Sequence, residues 1–99
     1  MNKKPSPKAK PKTKTKKVQF NLYLPDAERV FLAGDFNNWD VASLPMEKDG
    51  DGFWGADIDL TPGKYEYRFW GNGVWHDDPN AHEMVGNPFG SKNCVRIVI

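Results

Sequence analysis

Apolar and polar residues alternate from position 18 onward, with Val18, Phe20, Leu22 and Leu24 separated by Gln19, Asn21 and Tyr23. Successive side chains of an extended backbone point to opposite faces, so this period of two predicts a half-buried strand. Pro25-Asp26 stops it. Arg29 to Phe36 reads as a second strand, apolar on both faces in its middle, which predicts a central place in a sheet. In a third, Phe53 to Leu60, the residues Trp54, Ala56, Ile58 and Leu60 share one face, with Asp57 and Asp59 on the other. Thr61-Pro62-Gly63-Lys64 sets Pro and Gly where a type II turn wants them. A fourth strand, Lys64 to Trp70, follows with Tyr65, Tyr67 and Phe69 facing inward. Asn72-Gly73 predicts a tight hairpin into Val74 and Trp75, and Cys94 to Ile99 closes the chain as a last apolar strand. No apolar period of 3.6 persists for two turns. Short strands punctuated by Gly and Pro predict an all-β fold, an antiparallel, immunoglobulin-like β-sandwich.

Charge divides the chain in two. Eight of its 14 basic residues are lysines within positions 1–17, a stretch without an acidic side chain. Residues 18–99 keep six basic groups against 13 acidic ones, a balance of −7. The first segment interleaves Lys with Pro, Ser, Thr and Ala and has nothing bulky to bury, so residues 1–17 are expected to be a disordered tail. It reads either as a solubilising leader or as a docking arm for a polyanion. Without aromatic residues among the lysines, nucleic acid would receive only weak, non-specific contact. Residues 18–99 are expected to form the one folded domain, too small for a two-domain enzyme. No apolar run approaches a membrane span, and no apolar segment follows the basic start as a secretory signal requires. A single cysteine, Cys94, allows no internal disulfide, and a reducing, cytoplasmic setting is the expectation.

Four tryptophans in so short a body call for more than core filling. Trp54 shares a face with Ile58 and Leu60 and reads as core. Trp39 ends the polar stretch Gly34-Asp35-Phe36-Asn37-Asn38-Trp39, and Trp75 follows the Asn72-Gly73 turn. Arg68 lies on the outward face of the fourth strand, with Trp70 two residues on. A flat indole matches the C–H face of a pyranose ring, and guanidinium and amide groups hydrogen-bond its hydroxyls. The pattern alone leaves two readings open: a sugar-binding surface, or indoles that cap the ends of the core.

The run Val30 to Trp39 resembles the signature of the family 48 carbohydrate-binding modules. Pro62 to Phe69, Asn72-Gly73-Val74-Trp75 with Asp78-Pro79, and the closing Asn87 to Asn93 stretch resemble it too. That family includes the glycogen-binding domain of AMP-activated protein kinase β subunits and the N-terminal domains of branching and debranching enzymes. The likeness runs over residues 18–99. It implies a stand-alone, non-catalytic module for α-1,4-linked glucans such as glycogen or starch, with Trp39 and Trp75 as stacking platforms. It implies that Arg68 hydrogen-bonds the glucan, that Phe89 threads into its curve, and that Ser91 and Asn93 supply a hydroxyl and an amide. Two departures stand out. Arg68 replaces the lysine of the kinase-subunit type, which keeps charge and changes hydrogen-bond geometry, and Phe89 stands where a smaller aliphatic is common. The rival implied by the same family is a protein-interaction module, docked on a glucan-metabolising enzyme or kinase, that has lost sugar binding.

Other constellations point nowhere. His76, Asp77 and Asp78 are too close in sequence to converge on one ion, and His82 stands alone, so no metal or other cofactor is expected. Asp35 and Asp40 flank Trp39, but glycoside hydrolysis needs two carboxyls about 5–9 Å apart across a cleft. Cys94 reads as a small packed residue.

Overall fold

A computed structural model describes residues 14–99 of the chain. Its strands are β1 (Lys16–Tyr23), β2 (Val30–Gly34), β3 (Glu47–Lys48), β4 (Phe53–Leu60), β5 (Gly63–Gly71), β6 (Val74–His76), β7 (Glu83–Gly86) and β8 (Lys92–Val98). A 3-10 turn over Asp35–Asn37 follows β2, and there is no α-helix among the described residues. All pairings are antiparallel. One sheet has the order β1-β4-β3; the other runs β2-β5-β8-β7, with β6 pairing β5.

The two sheets face each other across one core. Val18, Phe20 and Leu22 of β1 and Trp54 and Leu60 of β4 meet Leu32, Tyr67, Phe69, Cys94 and Val98 of the opposite sheet. Burying each large apolar side chain contributes roughly 1.5–3 kcal/mol. The rings of Phe20 and Tyr67 pack edge to face at 4.8 Å, and those of Tyr67 and Phe69 at 5.9 Å. A buried hydroxyl requires a partner, and the Tyr67 hydroxyl donates to Asp78 Oδ2 at 2.7 Å. The same aspartate donates its own N–H to Cys94 Sγ and accepts the Asn80 N–H, which fastens the chain after β6 to the core. Burial, then the bond to Asp78, holds the Tyr67 phenol well above its ordinary pKa; burial also raises the Cys94 thiol. Arg96 shares the inward face of β8, its guanidinium 4.5 Å from the Phe20 ring centroid.

Several expectations are corrected. β2 is not central: it ends the five-stranded order. The segment Leu44–Met46 pairs along its outer edge, through Leu32 N–H to Leu44 O at 2.9 Å and Met46 N–H to Val30 O at 2.8 Å. The strand stops at Gly34 because Asn37 folds back and its Oδ1 accepts the Gly34 N–H. At the expected type II turn the chain only bends, with Gly63 at φ +155° already opening β5. The hairpin at Asn72-Gly73 forms with φ values of +51° and +80°, the twist-matching type I′ geometry. The last strand runs Lys92–Val98, and Ile99 is left exposed. Lys16 and Lys17, grouped above with the basic tail, pair with Leu60 and Asp59 in β1. The expected disorder of the tail lies, for residues 1–13, outside the described residues.

Candidate functional site

The outward face of the five-stranded sheet carries Phe31, Ala33, Glu66, Arg68, Trp70 and Trp75 by register, since Phe31 pairs with Trp70, Ala33 with Arg68 and Trp70 with Trp75. Trp39 is brought over this face by the turn after β2. Gly34 begins that turn, and only glycine fits: a Cβ there would lie 2.5 Å from the Glu66 carbonyl oxygen and 2.8 Å from Tyr67 Cβ. Asn37 ties the turn together, its Nδ2 donating to Leu32 O, Asp40 O and Ser43 Oγ. Phe36 anchors it to the core between Phe20 and Tyr65.

Asn38 and Trp39 are both left-handed, at φ +57° and +59°. Asparagine tolerates this conformation; for a bulky aromatic residue it is strained, at a cost of about 1–2 kcal/mol. Asp35 holds the strained ring. Its Oδ1 accepts the Trp39 indole N–H at 3.2 Å and its Oδ2 the Glu66 backbone N–H at 2.8 Å. The Trp39 backbone N–H donates to Gly34 O. Local strain of this kind clusters where a side chain must be presented in a fixed direction.

Trp39 meets Trp75 at 6.1 Å between centroids and 75° between planes, and Trp75 meets Trp70 at 4.8 Å and 64°. Trp39 is half-buried and Trp75 is 38% exposed, so neither indole is core. Trp54, by contrast, is buried and donates its indole N–H to Leu24 O. Arg68 places its guanidinium 5.7 Å from the Trp75 ring centroid, a cation–π distance. Its Nε and Nη2 both reach Asp77 Oδ1, at 3.0 and 2.9 Å, which fixes the fork on the groove wall.

The far wall is the loop between β7 and β8. Asn87 Oδ1 accepts the N–H groups of Phe89 and Ser91, and its Nδ2 donates to Asn93 Oδ1. Asn93 donates in turn to Glu66 Oε1 at 3.0 Å. The loop thereby lifts Phe89 into solvent, 90% exposed. Trp39, Arg68, Trp75, Phe89, Ser91 and Asn93, all six candidates, line one groove of about 710 Å³. A second hollow, of about 500 Å³ beside β3 and β4, has no aromatic lining.

Sequence reasoning passed over five residues of this site. Glu66, Asn87 and Pro88 line the groove, while Asp35 and Asp77 act from behind, on Trp39 and Arg68. The outward phase of Glu66 beside Arg68 and the turn-forming Asn87-Pro88 were signals for three of them. Asp35 and Asp40 make no catalytic pair: the first is committed to Trp39 and Glu66, and Asp40 Oδ1 accepts the Ala42 N–H. His82 Nδ1 accepts the Ile97 N–H. No group of three metal-ligating side chains occurs among the described residues, nor any helix long and apolar enough to cross a membrane.

Known proteins share this chain's sequence over most of its length. The chain is 46% identical over 63 residues to the 1,4-alpha-glucan branching enzyme GlgB of Aquifex aeolicus, covering 60% of this chain and 10% of that protein. It is 35% identical over 68 residues to the 5'-AMP-activated protein kinase subunit beta-1 of Bos taurus, covering 69% and 24%. To GlgB of Lactobacillus acidophilus it is 34% identical over 83 residues, covering 79% and 13%. The chain thus spans between a tenth and a quarter of the length of these curated relatives. The family match covers residues 6–86, so the Asn87–Asn93 loop lies beyond it, and the place of Phe89, Ser91 and Asn93 in the groove rests on geometry. The chain belongs to the carbohydrate-binding module 48 (isoamylase N-terminal domain) family.

Proposed function

We propose that the chain binds α-1,4-linked glucan without catalysis, stacking glucose units on Trp39 and Trp75 while Arg68, Ser91 and Asn93 hydrogen-bond hydroxyls and Phe89 enters the curve of the chain. The observation that carries the reading is the pair of indoles tilted at 75° above one groove with an exposed aromatic tip on its far wall. A β-1,4-linked glucan is a flat ribbon and asks for coplanar platforms. An α-1,4-linked chain turns continuously, and tilted platforms follow it.

Burying about 100 Å² per platform gives roughly 2–3 kcal/mol gross. Two platforms thus supply roughly 4–6 kcal/mol gross against an association cost of several kcal/mol, so the hydrogen bonds and the Phe89 contact must supply the rest of the roughly 4–8 kcal/mol net that a millimolar to micromolar site needs. Weak sites suit a polymer that offers many copies of its repeat. The relatives' names set the context: a module of this kind works beside a glucan-metabolising enzyme or a kinase, and its role is to hold that partner on its polymer.

Calorimetric titration with β-cyclodextrin, maltoheptaose and cellohexaose tests the reading. The two α-linked ligands should bind in the micromolar to millimolar range, with cellohexaose at least tenfold weaker. Equal binding of the β-linked chain, or no binding of either α-linked ligand, would overturn it and leave the protein-docking rival.

A further inference from the structure

The aromatic surface does not end at Trp75. Phe31 of β2, Trp70 of β5 and Trp75 of β6 pair in register across three adjacent strands on the same face as Arg68. Beyond Trp70 lies a hollow of about 210 Å³ lined by Glu28, Arg29, Phe31, Trp70, Asn72 and Gly73. It is smaller than the roughly 300–1,000 Å³ of a free-standing small-molecule site, so it suits one unit of a longer chain. Its rim is polar. Arg29 is exposed and forms no ion pair among the described residues. Asn72 is held at the rim, its Oδ1 accepting the Glu28 N–H and its own N–H donating to Arg29 O. An apolar floor of two rings with a guanidinium, a carboxylate and an amide around it repeats the chemistry of the main groove.

The tilt continues as well. Trp70 stands at 64° to Trp75, which itself stands at 75° to Trp39, so each of the three rings is tilted against its neighbour. We propose that Trp70 and Phe31, with Arg29 at the rim, form an additional glucan subsite that extends the Trp39–Trp75 groove across the sheet to the edge strand β2. The inference rests on the glucan reading above. It assigns Trp70 the contact that makes this surface favour longer chains.

The test compares maltotriose with maltoheptaose on the full 99-residue chain, by calorimetry, for the wild type, Trp70→Ala and Arg29→Ala. The wild type should bind maltoheptaose more tightly than maltotriose. Each variant should weaken maltoheptaose binding about five- to tenfold, a loss of the size of one stacked ring for Trp70 and of one hydrogen bond for Arg29, while maltotriose changes less than twofold. Trp70 touches Trp75, so a loss of maltotriose binding in Trp70→Ala would report a displaced Trp75; the exposed Arg29→Ala then decides. Unchanged maltoheptaose binding in Arg29→Ala, or equal losses for both sugars, would overturn the subsite. No gain with length in a wild type that binds both sugars would overturn the subsite alone, and a wild type that binds neither would overturn the glucan reading itself.

Discussion

Trp39 is a large ring in a left-handed backbone conformation, and Asp35 holds it there with one carboxylate bridging the indole and the Glu66 N–H. Removing the carboxylate in Asp35→Ala should cost about 0.5–1.5 kcal/mol of stability, the net range for solvent-exposed hydrogen bonds such as these, measurable as a lower urea midpoint. Glucan affinity should fall further than in a surface control such as Asp26→Ala, because the indole loses its fixed direction. Unchanged affinity would show that Trp39 needs no clamp. Trp54→Ala should destabilise by about 3–5 kcal/mol as a core truncation, whereas Trp39→Ala and Trp75→Ala should leave the fold intact and each weaken glucan binding by roughly 1–3 kcal/mol. The tryptophans were legible in the sequence because pleat phase and turn residues separate Trp54 from Trp39 and Trp75. Asp35 was not, because the backbone group it accepts from lies 31 residues away, and nothing local marks that pairing.

Among the elements, the long strands were legible and the short ones were not. β1, β4 and β5 alternate, since one face of each is core while the other meets water in β1 and β4 and carries the half-buried groove residues in β5. β3 is two exposed polar residues and β7 carries only one half-buried residue, Val85, so neither has a hydrophobic pattern to read. β2 misled in the opposite way: it is largely buried on both faces although it ends the sheet order, with Leu44–Met46 paired along its outer edge. The junction between β2 and the Trp39 turn gives a sharp test. Gly34→Ala forces a methyl into the Glu66 carbonyl and should cost about 1–3 kcal/mol or more by overpacking. Gly86→Ala, where nothing lies within 4 Å, should stay within about 0.5 kcal/mol of wild type in the same urea titration.

At the scale of the whole molecule, a neutral polymer meets an acidic body, so salt and the basic segment should matter little to binding. Deleting residues 1–13 is expected to change glucan affinity less than twofold; a tenfold loss would make the lysines part of the site. Stability has an alkaline limit. Tyr67 and Cys94 are held protonated by burial, above the ordinary values of about 10 and 8.5. The unfolded chain ionises first as pH rises, so their contribution is complete below those values and is lost above them, by at most about 1.4 kcal/mol per pH unit for each group. Cys94→Ala should therefore be less stable than wild type at pH 7 and close part of that gap between pH 8 and 11. A constant gap would contradict the buried thiol.

The binding surface itself is tested most directly by following the indole N–H resonances of all four tryptophans during a maltoheptaose titration. Trp39 and Trp75 should shift progressively to saturation, while Trp54, whose indole is buried and bonded to Leu24 O, should stay in place. Shifts confined to Trp54, or to backbone amides of the β1-β4-β3 sheet with Trp39 and Trp75 unmoved, would contradict glucan binding at this groove.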